Sequence, residues 1–173
     1  YVYYTSAEVS PVENHLFRVS IKLPKSAATK GVPAVKVGNP ERLTKAEGWH
    51  TIAMSPDCKY YTDSWTSLCN PGMTDLCSSD GRILASLHKA ADPTLDYAYT
   101  EISLGTVKSA DGKYDNYYRL IKPKDFDPAK KYPVIVYVYG GPHSQMVQNT
   151  FLGQLRRWEM YMAQRGYLVY VQD

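Results

Sequence analysis

In the first half of the chain, apolar residues come in short runs of strand length, several of them alternating with polar positions, and turn residues separate the runs. Tyr1-Val2-Tyr3-Tyr4-Thr5 and His15 to Ile21 read as the paired strands of a hairpin, joined by a loop holding Pro11 and Asn14. From Lys22 to Pro40 the chain is rich in Lys, Pro, Ala and Gly without a helical period and reads as an exposed loop. Strand patterns resume at Gly48 to Ala53, Lys59 to Trp65, Thr74 to Cys77 and Arg82 to Leu87, with turn signals at Ser55-Pro56-Asp57 and Ser79-Asp80-Gly81. Short, evenly spaced strands of this kind predict propeller blades, here one blade and part of another. Such a part can filter access to a site or serve packing alone, and the pattern fits both.

The second half reads differently. A proline-containing linker, Asp92 to Leu95, leads into a strand over Tyr97 to Leu104. Asp111-Gly112 then predicts a hairpin between strands ending at Ser109 and starting at Tyr114. Tyr132 to Tyr139 is an unbroken apolar and β-branched run, closed by Gly140-Gly141-Pro142, and reads as a strand buried on both faces. Beyond it Phe151, Leu155, Trp158 and Met162 recur at helical spacing, leaving Arg156, Arg157, Glu159 and Arg165 outside the stripe, with Gly166 as the cap. Trp158 and Tyr161 are expected in the core rather than in a ligand box. Tyr167 to Val171 is the next strand, so the order strand, helix, strand predicts a parallel pair. The fold class expected is therefore all-β plus α/β, with a crossing between residues 1–96 and 97–173.

Ligands of parallel sheets sit beyond the carboxyl ends of the strands, which is where Tyr139-Gly140-Gly141-Pro142 falls. Glycines there permit positive φ or close approach of backbone to a ligand. A strand followed by Gly-Gly-Pro is equally compatible with a tight exit turn. His143 reads as a loop residue lining the site, and Asp173, at the end of the last strand, as structural.

The run Phe126 to Pro133, the strand after it, Tyr139-Gly140-Gly141-Pro142-His143-Ser144-Gln145, and Trp158 with Tyr161 to Tyr167 together resemble dipeptidyl peptidase IV and its prolyl oligopeptidase relatives. The resemblance is dense from about Tyr99 onward and looser back to Tyr1. It implies the end of a β-propeller followed by the start of an α/β-hydrolase domain, both incomplete, in a serine peptidase that removes dipeptides from peptide N-termini with proline or alanine second. It also implies that Tyr139 is the oxyanion tyrosine. No Gly-x-Ser-x-Gly elbow occurs in the chain, so the triad serine, acid and histidine are not matched here. The family's paired glutamates that hold the substrate amine belong to an earlier propeller segment, and Glu8, Glu13, Glu41 and Glu47 read as ordinary loop acids. The expectation is an internal segment of a larger enzyme, inactive alone. Kinship further implies an exported parent, periplasmic, secreted or surface-associated, that forms a homodimer. A non-catalytic binding or scaffold module of the same shape is the reading from a different class. Tripeptidyl and acylaminoacyl peptidases are also compatible with the residues present.

Composition narrows partners more than chemistry. The 20 basic and 17 acidic residues are interspersed and leave a formal charge of +3, so no nucleic-acid partner is expected. No apolar run approaches the roughly 18 residues of a membrane span. Cys58, Cys69 and Cys77 permit at most one disulfide, and neither they nor the four histidines show metal-ligand spacing, so neither a metal nor a cofactor is expected. The last strand, Tyr167 to Val171, is expected to present an open edge through which the isolated chain self-associates.

Overall fold

The computed structural model describes residues 1–22, 35–95, 100–141 and 143–173. The expected crossing near residues 96 and 97, the first part of the strand from Tyr97, Pro142, and most of the 22–40 loop lie outside the described residues. The described chain is mostly strand, with one short helix.

Strand β1 (Val2–Ser6) pairs antiparallel with β2 (His15–Val19), Val2 opposite Val19 and Ser6 opposite His15, as the hairpin pattern predicts. Two-residue strands β3 (Ile21–Lys22) and β4 (Lys36–Val37) pair with each other, so the expected loop is partly laddered. β5 (Glu41–Arg42) adds to β2. Strands β6 (Trp49–Met54), β7 (Tyr60–Ser67), β8 (Asn70–Ser78) and β9 (Ile83–Lys89) then form a four-stranded antiparallel meander in chain order. Its inward positions follow the two-residue period: Tyr61 and Asp63 on β7, and Asp75 and Cys77 on β8, are all buried. Leu16, Leu43, Tyr61 and Cys77 make the small core between the meander and the β1-β2-β5 sheet. This is a propeller-like β region.

The remaining strands, β10 (Glu101–Lys108), β11 (Asp115–Lys122), β12 (Val134–Val138) and β13 (Leu168–Gln172), build a mixed sheet in the order β10-β11-β13-β12. Gly112, at φ 72°, turns the β10-β11 hairpin as Asp-Gly predicts. β12 and β13 are parallel, and helix α1 (Arg157–Gln164) lies between them in the chain. Gly166, at φ 89°, ends α1 and donates to the Ala163 carbonyl at 3.0 Å.

Four expectations are corrected here. β12 is not buried on both faces: Val134, Val136 and Val138 are 54%, 62% and 61% exposed. β13 occupies the interior place between β11 and β12, with Val169 and Val171 fully buried, so the open edge belongs to β12 and not to Tyr167–Val171. The helix is also shorter than its stripe. Leu152 and Gly153 take positive φ within a separate 3-10 turn, Phe151–Gln154, and α1 starts only at Arg157. With the register so shifted, α1 buries Glu159 and Ala163, while Trp158 and Tyr161 are exposed rather than core.

The two parts interlock. Val12, from the β1-β2 loop, packs into the core of the mixed sheet with Ile121, Met146, Val147, Ala163, Val169 and Val171. Asn149 binds the β region three times: its N–H donates to the Val12 carbonyl (2.7 Å), its amide nitrogen to Glu13 (2.8 Å), and its amide oxygen accepts the Leu68 N–H (2.9 Å).

Candidate active-site cleft

Because β12 and β13 are parallel and in register from Val134 opposite Leu168 to Val138 opposite Gln172, their carboxyl ends open at the same level. Tyr139 and Asp173 are the next residue on each. A cleft of about 300 Å³ opens there, lined by Pro11, Val12, Tyr117, Tyr139, Gly141, Ser144, Gln145 and Asp173. This is the position at which open α/β sheets take their ligands. β11 runs the opposite way, so its beginning, Tyr117, reaches the same mouth. Pro11 and Val12 bring the β region to the opposite wall, where Gln145 Nε2 donates to the Pro11 carbonyl at 2.7 Å.

Tyr139 is half-exposed, and its ring lies back over Gly141. A Cβ built on Gly141 would meet Tyr139 Cε1 at 3.0 Å and Cζ and the hydroxyl at 3.1 Å, closer than ordinary packing allows. Neither Gly140 nor Gly141 has positive φ. Gly141 thus serves close approach of a ring, not a left-handed turn, while Gly140 stands in open space.

The segment after the glycines is held from both sides. Asp173 Oδ1 accepts the Met146 N–H at 2.7 Å and Oδ2 the Val147 N–H at 2.9 Å, while the Asp173 N–H donates to the Tyr117 carbonyl at 3.2 Å. Sequence reading assigned Asp173 a structural part without finding these partners. Its signal lies in the parallel register, which brings two distant strand ends together. His143 is exposed and absent from the cleft lining, where Ser144 and Gln145 stand instead.

A second polar cluster lies buried in the β region, and it corrects the reading of Glu13 as an ordinary loop acid, since Glu13 stands in a loop but is buried. His15 and His50 are 0% and 1% exposed, with ring centroids 5.0 Å apart. His15 Nε2 faces Glu13 at 2.9 Å, and Nδ1 faces the Thr44 hydroxyl at 3.1 Å. Burial pulls the His15 pKa down, against the opposing pull of Glu13, which favours the neutral ring with its proton toward Glu13. His50 Nδ1 lies 2.9 Å from both Asp63 oxygens, and its Nε2 3.0 Å from the Ala46 carbonyl. Every ring nitrogen here has a partner, and among the described residues no group of three His, Cys, Asp or Glu side chains is arranged for a metal. Cys58, Cys69 and Cys77 are all free thiols.

Residues 1–72 match the family model described as the dipeptidyl peptidase IV N-terminal region. Among curated relatives, human dipeptidyl peptidase 8 is 30% identical over an alignment covering 99% of this chain and 18% of its own length. Mouse prolyl endopeptidase FAP is 28% identical, with 91% of this chain and 22% of that protein covered. The chain therefore spans about a fifth of the length of these relatives. A crystal structure from Bacteroides ovatus, assigned as a dipeptidyl aminopeptidase IV, superposes with a TM-score of 0.69 at 28% identity, covering 99% of this chain and 31% of that one. Porphyromonas gingivalis dipeptidyl peptidase 4 shares the fold at TM-score 0.76 and 24% identity, over 99% of this chain and 22% of its own. The family match at the N-terminal part, and relatives and structures aligned along nearly all of the chain, make it a member of the dipeptidyl peptidase IV family.

Proposed function

We propose that residues 1–173 belong to a serine exopeptidase that removes Xaa-Pro or Xaa-Ala dipeptides from peptide N-termini, and that the chain supplies one oxyanion donor, Tyr139. On this reading residues 1–96 end a β-propeller and residues 97–173 begin an α/β-hydrolase domain. The observation that carries the proposal is the placement of Tyr139 at the carboxyl end of a parallel strand, in a cleft walled on the far side by the β region. The mixed sheet with a parallel, helix-connected pair suits the start of a hydrolase sheet. The names of the relatives, dipeptidyl peptidase 8 and probable dipeptidyl-aminopeptidase B, suit the substrate class.

In this chemistry a serine oxygen attacks the carbonyl carbon, the carbonyl π electrons move to oxygen, and the resulting anion needs a donor already in place. A phenol contributes its O–H without itself changing bonds, and one such donor is worth roughly 100- to 1000-fold in rate. The serine, its histidine base and the acid lie on residues other than these, since no Gly-x-Ser-x-Gly elbow occurs in the chain. The chain alone is therefore inactive. The proposal extends to an exported, homodimeric longer polypeptide acting on peptides.

Hydrolysis of a glycyl-prolyl chromogenic substrate tests it, run on this chain and on the longer polypeptide, each with and without Tyr139→Phe. Activity confined to the longer polypeptide, falling about 100-fold or more in the phenylalanine variant, is expected. An inactive longer polypeptide would put a propeller-hydrolase binding module in its place.

A further inference from the structure

We propose that Asp173 is a positioning residue for Tyr139: its carboxylate anchors the chain beyond the glycine pair at Met146 and Val147, and through that anchor the seat of the phenol. This rests on the reading of Tyr139 as oxyanion donor.

Gly140 has no atom within 4 Å of where a Cβ would stand, and the ring of Tyr139 rests on Gly141. Farther along, the chain is anchored at Met146 and Val147, which are 5% and 0% exposed. Their backbone N–H groups, removed from water, need acceptors, and both find them on the one carboxylate, at 2.7 Å and 2.9 Å. Bonds to an ionised acceptor are roughly twice as strong as neutral ones, and two on one rigid group fix direction as well as distance. Asp173 is itself fixed, since it continues β13 and donates its N–H to Tyr117 on β11. The stretch at Met146 and Val147 is thus referenced to the neighbouring strands of the sheet. Gln145, bonded to the carbonyls of Pro11 and Val147, holds the same stretch against the β region.

The rival role for a carboxylate in this cleft is direct contact with a substrate cation. The two make different kinetic predictions. A positioning residue acts on the transition state through Tyr139 and lowers kcat, whereas losing a contact made equally in the ground state raises KM.

The test uses the longer polypeptide with Asp173→Asn and Asp173→Ala, each alone and combined with Tyr139→Phe. Hydrogen exchange is read over residues 145–149, with kcat and KM on the glycyl-prolyl substrate. Exchange at the Met146 and Val147 amides should speed up about 10-fold or more in the alanine variant. kcat should fall roughly 10- to 100-fold at unchanged KM, the scale of a misplaced catalytic group. In the Tyr139→Phe background the same change should cost less than about 3-fold, because the group being positioned has gone. Should Asp173→Ala not fold, the isosteric asparagine carries the same readouts, since it turns one acceptor into a donor facing an N–H. A rise in KM with kcat preserved, kcat losses that multiply with Tyr139→Phe, or unchanged exchange would each overturn the proposal. If Tyr139→Phe by itself leaves activity intact, the reading of Tyr139 fails and this inference falls with it; unchanged exchange defeats the clamp alone.

Discussion

Gly141 lacks a side chain because of Tyr139, two residues before it. The phenol ring lies 3.0–3.1 Å from the point a Cβ would occupy, so even alanine must shift the ring by a few tenths of an ångström. Gly140, with open space around it, carries no such demand. The expected outcome is a contrast between neighbours: Gly141→Ala lowers kcat of the longer polypeptide about 10-fold or more through a displaced donor, and Gly140→Ala changes it little. Equal effects at the two positions in steady-state kinetics would count against the packing argument. In the sequence the two glycines are a ligand-approaching or turn-forming pair in which neither position is distinguished. The reason is that the neighbour in question is a side chain whose rotamer is set only in the fold.

At the scale of elements, the joint between α1 and β11 is a buried ion pair. Arg119 and Glu159 are 1% and 0% exposed, and the guanidinium Nη2 meets the two carboxylate oxygens at 2.9 Å and 2.8 Å. The guanidinium also donates to the Gly153 carbonyl, and Glu159 accepts the Arg156 N–H at 2.8 Å, closing the first turn of the helix. Burial pushes the Arg119 pKa down and Glu159 opposes that, so the carboxylate compensates a buried charge that the guanidinium keeps. Removing one member strands the other. Glu159→Ala should cost about 3–5 kcal/mol in chemical denaturation, and Glu159→Gln should also destabilise, since it keeps the shape but loses the charge. The periodicity of the sequence set Glu159 outside the apolar stripe, as a charged residue ordinarily is. Its burial depends on Arg119, forty residues earlier, and on the break at Leu152-Gly153 that resets the helical register. Neither is local.

For the whole molecule, β12 is a bare apolar strand at the edge of the mixed sheet. Its free edge and its exposed Val134, Val136 and Val138 form the kind of surface that pairs with another chain unless covered. Residues 1–173 in isolation should therefore associate at micromolar concentration in sedimentation. Val136→Lys, which places a charge on that strand, should shift the distribution toward monomer. A monomeric wild-type chain that melts cooperatively would remove the basis for this expectation.

What the residues determined by themselves was local. Strand-length runs and turn residues marked the strands of the meander, Asp111-Gly112 and Asp80-Gly81 placed two hairpins, Gly166 ended the helix, and the run from Tyr132 to Tyr139 marked the strand that leads into the cleft. These signals survive because backbone sterics and two-residue periodicity act over a few residues. Only the tertiary structure decided the rest: that β13 slides inside β12, that Val12 and Asn149 lock the two parts together, that Glu13, His15, His50 and Glu159 are buried, and that Asp173 meets Met146 and Val147. Each of these is a pairing between residues far apart in the chain. Its energy belongs to a geometry that exists only once strands are ordered in a sheet and water is excluded between them.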